Sequence, residues 1–137
     1  MKATTIIAAL IVILSTLLSA CAGSSTSEGK TVVVTPAIKG NSASLNVGDT
    51  LEIQIPTIPK EGFDWVVQDI DTAILQQVGE AVYTADTSPN SAGGVTNLKF
   101  NAISPGNTVV SLLYSNTSTG VSPSLSANSF SVVVEVK

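Results

Sequence analysis

Leu51, Ile53 and Ile55 alternate with Glu52 and Gln54, and near the C-terminus Phe130, Val132, Val134 and Val136 are interleaved with Ser131 and Glu135. A period of two sends alternate side chains to opposite faces of an extended chain, so each run predicts a strand buried on one side. From Lys30 onward no stretch sustains a 3.6-residue period; β-branched residues dominate in short runs broken by Gly, Pro, Asn and Ser. The pattern predicts strands over residues 31–38, 51–55, 63–67, 74–83, 95–102, 108–114 and 130–136, with turns at Asn46-Val47-Gly48-Asp49 and Ser104-Pro105-Gly106-Asn107. About seven short strands with such punctuation indicate an all-β sandwich or barrel. With no long crossover segments, antiparallel pairing is expected. A helix is conceivable only over residues 69–78, where Asp71 could cap a single short turn. Trp65, the one Trp of an aromatic-poor chain, is expected inside.

The first twenty residues break this pattern. Lys2 precedes the apolar run Ile6-Ile7-Ala8-Ala9-Leu10-Ile11-Val12-Ile13-Leu14, and Leu18-Ser19-Ala20 closes the stretch. A positive start, a short apolar centre and a small-residue exit make an export signal. The alternative is a bilayer span, but Ser15 and Thr16 interrupt a run already short of the roughly 20 apolar residues required. Leu18-Ser19-Ala20-Cys21 resembles the lipobox of bacterial lipoproteins. That resemblance implies cleavage before Cys21, lipid modification of Cys21 as the new N-terminus with several acyl chains, and tethering to a lipid bilayer at the cell envelope. Ala22 offers no sign of inner-membrane retention. Residues 21–29 then form the lipidated Cys and a small, polar spacer, and residues 30–137 the folded domain. Removing residues 1–20, and Lys2 with them, leaves 117 residues and a charge of −5.

Composition narrows the chemistry. The chain has six Lys and no Arg, ten acidic residues, no His and one Cys. No Ser-His-Asp or Cys-His pair, His-bearing zinc site or intrachain disulfide can be assembled. A nucleic-acid partner is excluded by the acidic balance. Asp64, Asp69 and Asp71 are carboxylates on expected solvated edges; Asp69 and Asp71 could touch calcium, but two acids do not make a site. No enzyme, metal or cofactor is expected.

Three loops remain as candidate binding segments. The first, Pro56-Thr57-Ile58-Pro59-Lys60-Glu61-Gly62, carries two prolines that stiffen it, which suits a preorganised binding loop or a plain connector. The second, ending in Ser91-Ala92-Gly93-Gly94, has paired glycines that admit close backbone approach or simply turn a hairpin. The third, residues 115–128, starts with Ser115-Asn116-Thr117-Ser118 and is uncharged; nine of its fourteen residues are Ser, Thr or Asn. Its length suits either function or disorder.

Taken in order, these segments resemble the chagasin-like cysteine peptidase inhibitors. Members carry Asn-Pro-Thr-Thr-Gly followed by aromatic-x-Trp, then Gly-x-Gly-Gly, then a strand ending in Tyr and an Arg-Pro-aromatic loop. Here Val47-Gly48-Asp49-Thr50-Leu51 resembles the start of the family's second strand, Pro56, Thr57, Gly62, Phe63 and Trp65 match the first motif, and Gly93 and Gly94 match the second. Phe100 and Ala102 follow at the familiar distance, and Tyr114 closes the corresponding strand. Ile55 replaces the leading Asn, Ile58-Pro59-Lys60-Glu61 stands where the family has a single Thr, Ser91 replaces the first Gly of the second motif, and nothing after Tyr114 supplies Arg-Pro-aromatic. The resemblance implies an immunoglobulin-like antiparallel β-sandwich, expected as a monomer, that inserts three loops into the cleft of a papain-like cysteine protease. In that role Pro56, Thr57 and Gly62 shape the tip, Ile58 enters an apolar subsite, and Gly93 and Gly94 permit close approach. The alternative is a non-inhibitory immunoglobulin-like envelope module for adhesion or assembly, which the missing third motif favours.

Overall fold

A computed structural model describes residues 29–36, 41–118 and 128–137. The alternating runs become strands as their periodicity demands. The described residues form β1 (Thr31–Val34), β2 (Ser42–Leu45), β3 (Thr50–Thr57), β4 (Phe63–Asp69), β5 (Leu75–Gln77), β6 (Val82–Ala85), β7 (Gly94–Ala102), β8 (Gly106–Asn116) and β9 (Ser129–Val136). They make two sheets, one in the order β1-β3-β7-β5 with β6 also on β7, the other β2-β9-β8-β4.

Register follows the apolar faces. Leu51 lies opposite Phe100 and Ile53 opposite Leu98 in the first sheet; Val110 lies opposite Val132 and Thr108 opposite Val134 in the second. The inner faces meet in a core of Leu51, Ile53, Leu98, Phe100, Val110, Leu112, Val132 and Val134, all fully or almost fully buried. Fully burying one such side chain contributes about 1.5–3 kcal/mol, and Trp65 joins the core as expected.

The all-β sandwich is the fold expected, but its details differ in four places. First, β1 pairs with β3 and β2 with β9 in parallel, whereas antiparallel pairing was expected. Side-chain periodicity assigns faces and leaves strand direction open. Here the chain runs β1 in one sheet and β2 in the other before β3 returns, so no helical crossover is needed. Second, the run expected over 74–83 is two strands, because Gly79 adopts a φ of 70° between them. Third, no helix forms over 69–78. The Asp71 carbonyl accepts from the N–H groups of Ile74 and Leu75, and its carboxylate accepts from Ala73 N–H at 2.9 Å. The turn stops there because Leu75, fully buried, pairs with Ala102 of β7. Fourth, β2 was not anticipated, and the strand expected over 31–38 ends at Val34; residues 37–40 lie outside the described residues. So do residues 1–28, with the expected signal and Cys21. Among the described residues no helix is long and apolar enough to cross a membrane.

The topology sets two poles. Thr57 is paired with Gly94, Ala85 with Gly94 and Phe63 with Asn116, so the β3–β4 and β6–β7 loops and the end of β8 share one end of the sandwich. Thr31 pairs with Thr50 and Gly106 with Val136, which puts the N-terminal side of the domain at the other end.

Candidate functional site

The β3–β4 loop, residues 58–62, is held by its own turn and by the aromatic residues beneath it. Phe63 N–H donates to the Lys60 carbonyl at 2.9 Å, and Gly62 has a φ of 76°. This is the type II geometry, whose third position favours glycine. The Tyr114 hydroxyl donates to the Ile58 carbonyl at 3.1 Å and accepts from Lys60 N–H at 3.0 Å, bridging Pro59 from below. Tyr114 packs between Phe63 and Trp65, with ring centroids 5.6 and 5.4 Å away. The Lys60 ammonium sits 4.2 Å from the centre of the Phe63 ring, a cation–π contact on the loop's flank.

Pro56 and Thr57 lie in β3 rather than in the loop. The Thr57 side chain is buried, and its hydroxyl accepts from Trp65 Nε1 at 3.0 Å and from Thr96 Oγ1 at 2.9 Å while donating to the Ile55 carbonyl at 2.9 Å. Thr57 therefore shapes the tip from within. Its neighbour Ile58 is 75% exposed, more than any other large hydrophobic side chain among the described residues. Ile58 borders a 700 Å³ groove along the outside of the first sheet, shared with Thr84 and Gly93, and a 220 Å³ hollow shared with Tyr114 and Asn128. It is an apolar ridge between two depressions.

The β6–β7 loop, residues 86–93, is organised by Asp86. Its carboxylate accepts from Ser88 N–H at 2.9 Å, and its backbone N–H donates to the Gly93 carbonyl at 2.9 Å. The Ser88 N–H, helped by the hydroxyls of Ser88 and Ser91, holds the Asp86 carboxyl below the usual carboxylate range. Within the loop, Ser91 N–H donates to the Ser88 carbonyl at 3.1 Å and Asn90 has a φ of 70°, so Pro89 and Asn90 occupy the central positions of a second type II turn. Gly93 faces the first loop: a β-carbon there would stand 3.2 Å from the Thr57 carbonyl oxygen. Gly94 already belongs to β7, beneath Thr84 and the Tyr83 hydroxyl.

The third candidate segment starts later than its sequence suggests, because β8 extends through Ser115 and Asn116 and Ser115 is buried. Thr117 N–H donates to the Gly62 carbonyl at 2.8 Å, and Ser118 N–H to the Asn116 side-chain oxygen at 2.9 Å. Residues 119–127 lie outside the described residues.

The three segments picked out in the sequence thus meet, through Thr57–Gly93 on one side and Gly62–Thr117 on the other. Sequence reasoning missed the supports: the Tyr114 hydroxyl, Thr96 and Asp86. Asp-x-Ser before Pro-Asn is a readable turn signal for Asp86, whereas the Thr57–Thr96–Trp65 cluster depends on register across both sheets. Among the described residues no three acidic or Cys side chains are placed to hold a metal ion.

Residues 44–134, from β2 to β9, match the family model described as Chagasin family peptidase inhibitor I42. The chain belongs to this family. Its members are peptidase inhibitors. Among solved structures, the cysteine protease inhibitor EhICP2 from Entamoeba histolytica is similar at 17% identity and a TM-score of 0.64, over 79% of this chain and 96% of that one. Amebosin is similar at 22% identity and a TM-score of 0.59, over 79% of this chain and 98% of its own. Both share the fold. No curated protein matches the chain.

Proposed function

We propose that this chagasin-family chain is a monomeric, membrane-tethered inhibitor of papain-like cysteine proteases, with Ile58 at the centre of its contact surface. The observation that carries the reading is the joining of the three loops into one braced edge from which the Ile58 side chain projects. Bracing lowers the ordering cost of binding. Ile58 supplies an apolar group for a subsite of the protease cleft.

The same geometry accounts for an inhibitor that is not cut. The bond after Ile58 leads into Pro59, and the Ile58 carbonyl is engaged from below by the Tyr114 hydroxyl. A protease nucleophile placed against this edge meets a carbonyl already held by its own domain. The glycine at 93 leaves the neighbouring loop close to the ridge, and Asn116, Thr117 and Ser118 flank the other side with small polar groups in place of an aromatic anchor.

Anchoring rests on Leu18-Ser19-Ala20-Cys21: an acylated Cys21 would place the domain at the cell envelope. A second reading, a non-inhibitory envelope module for adhesion or assembly, draws on the absence of Arg or an aromatic residue at 116–118.

Titration of a papain-type protease with residues 22–137 separates the two. The inhibitor reading expects stoichiometric loss of activity, and Ile58→Ala weakening it about tenfold or more, a loss of about 1.4 kcal/mol. Because Ile58 is so exposed, the variant should unfold within about 0.5 kcal/mol of the parent. Absence of inhibition at micromolar concentration would favour the envelope module.

A further inference from the structure

The pole opposite the three loops carries features that inhibition does not use. Lys30 N–H donates to the Asp49 carboxylate at 2.8 Å, and Thr50 N–H to the Lys30 carbonyl at 2.9 Å, so the chain enters the domain beside the β2–β3 turn. Val47, in that turn, donates its N–H to the carbonyl of Lys137 at 3.0 Å, and Gly48 donates to the carbonyl of Ala102 at 2.8 Å. These bonds gather Lys30, Val47, Ile103 and Lys137 at one end. Val47 is 50% exposed and Ile103 43%. Asp49 is turned inward, accepting from Lys30 N–H and from Asn46 N–H at 2.8 Å each, while the exposed Glu135 carboxylate stands 3.5 Å from the Lys137 ammonium. The end therefore shows solvent two aliphatic side chains, the Lys30 ammonium and the Lys137–Glu135 ion pair, on a protein whose net charge is negative.

We infer that this pole is a membrane-contact surface, resting on the phospholipid headgroups and turning the inhibitory edge away from the bilayer. The inference rests on the reading of Cys21 as the lipid anchor. Cys21 and Gly29 are eight residues apart, so the chain between them cannot exceed about 28 Å when fully extended. The pole where the chain enters is thus kept near the headgroups by covalent geometry. At that distance Val47 and Ile103 can seat shallowly at the interface and the Lys30 ammonium can meet a lipid phosphate, as can that of Lys137 by exchanging its exposed partner Glu135. β3 runs from this pole to the other in eight residues, which is about 26 Å of strand. Ile58 is carried outward by up to about that much, toward proteases arriving from solution.

The test uses the full chain, lipidated in a bacterial host and reconstituted in vesicles of phosphatidylethanolamine and phosphatidylglycerol. An environment-sensitive fluorophore is attached to a thiol introduced by Val47→Cys, Ile103→Cys or Ile58→Cys, Cys21 being blocked by its acyl chains. Trp65 emission checks that each variant is folded. Expected are blue-shifted emission and several-fold quenching by bilayer-embedded quenchers for labels at 47 and 103, and neither for the label at 58. Vesicle-bound chain with a water-like label at both 47 and 103, or with the label at 58 quenched as strongly, overturns the inference and leaves the anchor standing. Chain that stays off vesicles with Cys21 unmodified overturns the anchor and this inference together. Protease titration is read separately: if the quenching pattern appears without inhibition, the inhibitor reading fails and the orientation holds.

Discussion

Thr57 and Ile58 are consecutive residues with opposite tasks. The first buries a hydroxyl that satisfies Trp65 Nε1 and Thr96 Oγ1; the second presents bare hydrocarbon to solvent. Thr57→Val should leave both donors without a buried acceptor and destabilise the domain by about 1–3 kcal/mol. Urea unfolding followed by Trp65 fluorescence measures this, and Thr57→Ser, which keeps the oxygen, should recover most of the loss. At Gly62 the issue is backbone. A φ of 76° disfavours any side chain, and a β-carbon would come within 2.8 Å of the Ser118 hydroxyl. Gly62→Ala is expected to cost about 1–2 kcal/mol and also to weaken inhibition, because the turn that carries Lys60 and Glu61 must shift. An unchanged unfolding midpoint in Gly62→Ala would contradict the type II turn.

Elements show what the sequence makes legible. The alternation of Leu51, Ile53 and Ile55 identifies β3 and its buried face without further information, and β9 is as clear. Direction is different: Val32 and Val33 read as strand, yet nothing in them says that β1 lies parallel to β3. β2 is hidden because Ser-Ala-Ser-Leu offers one large apolar residue, and its strand state comes from pairing with β9. The three loops were visible as Pro, Gly and Ser-rich breaks, but their joining was not, since Tyr114 on β8 of one sheet reaches Ile58 beyond the end of β3 in the other. The β6–β7 loop carries a prediction of its own. Its Asp86 carboxyl is held below the usual range, so the ordering it provides is fully present above the ordinary Asp pKa and is lost as pH falls through the lowered value. Amide hydrogen exchange at Ser88 and Ser91 should therefore stay slow at mildly acidic pH relative to exchange in an unstructured peptide. Protection should fall only in the more acidic range. Asp86→Asn, which keeps an acceptor oxygen but does not titrate, should flatten that dependence, and an unaltered profile in this variant would refute the role of Asp86.

At the scale of the whole molecule, cohesion comes from the core between two sheets and from backbone pairing. The sequence holds one Cys, in the segment that precedes the domain, so no intrachain disulfide can contribute. For an inhibitor of thiol proteases this matters chemically. A papain-type enzyme works only while its nucleophile is a free thiolate, and conditions that keep that thiol reduced would open any disulfide that braced an inhibitor loop. Here the loop edge is braced by the Tyr114, Thr57 and Asp86 hydrogen bonds, which a reductant does not touch. The Tm of residues 22–137 and the equivalence point of its titration against a papain-type protease should therefore be the same at low and high millimolar dithiothreitol, once the enzyme is fully active. Residues 22–137 hold no Cys, so a fall in either quantity with added thiol would contradict a loop edge held by hydrogen bonds and packing alone.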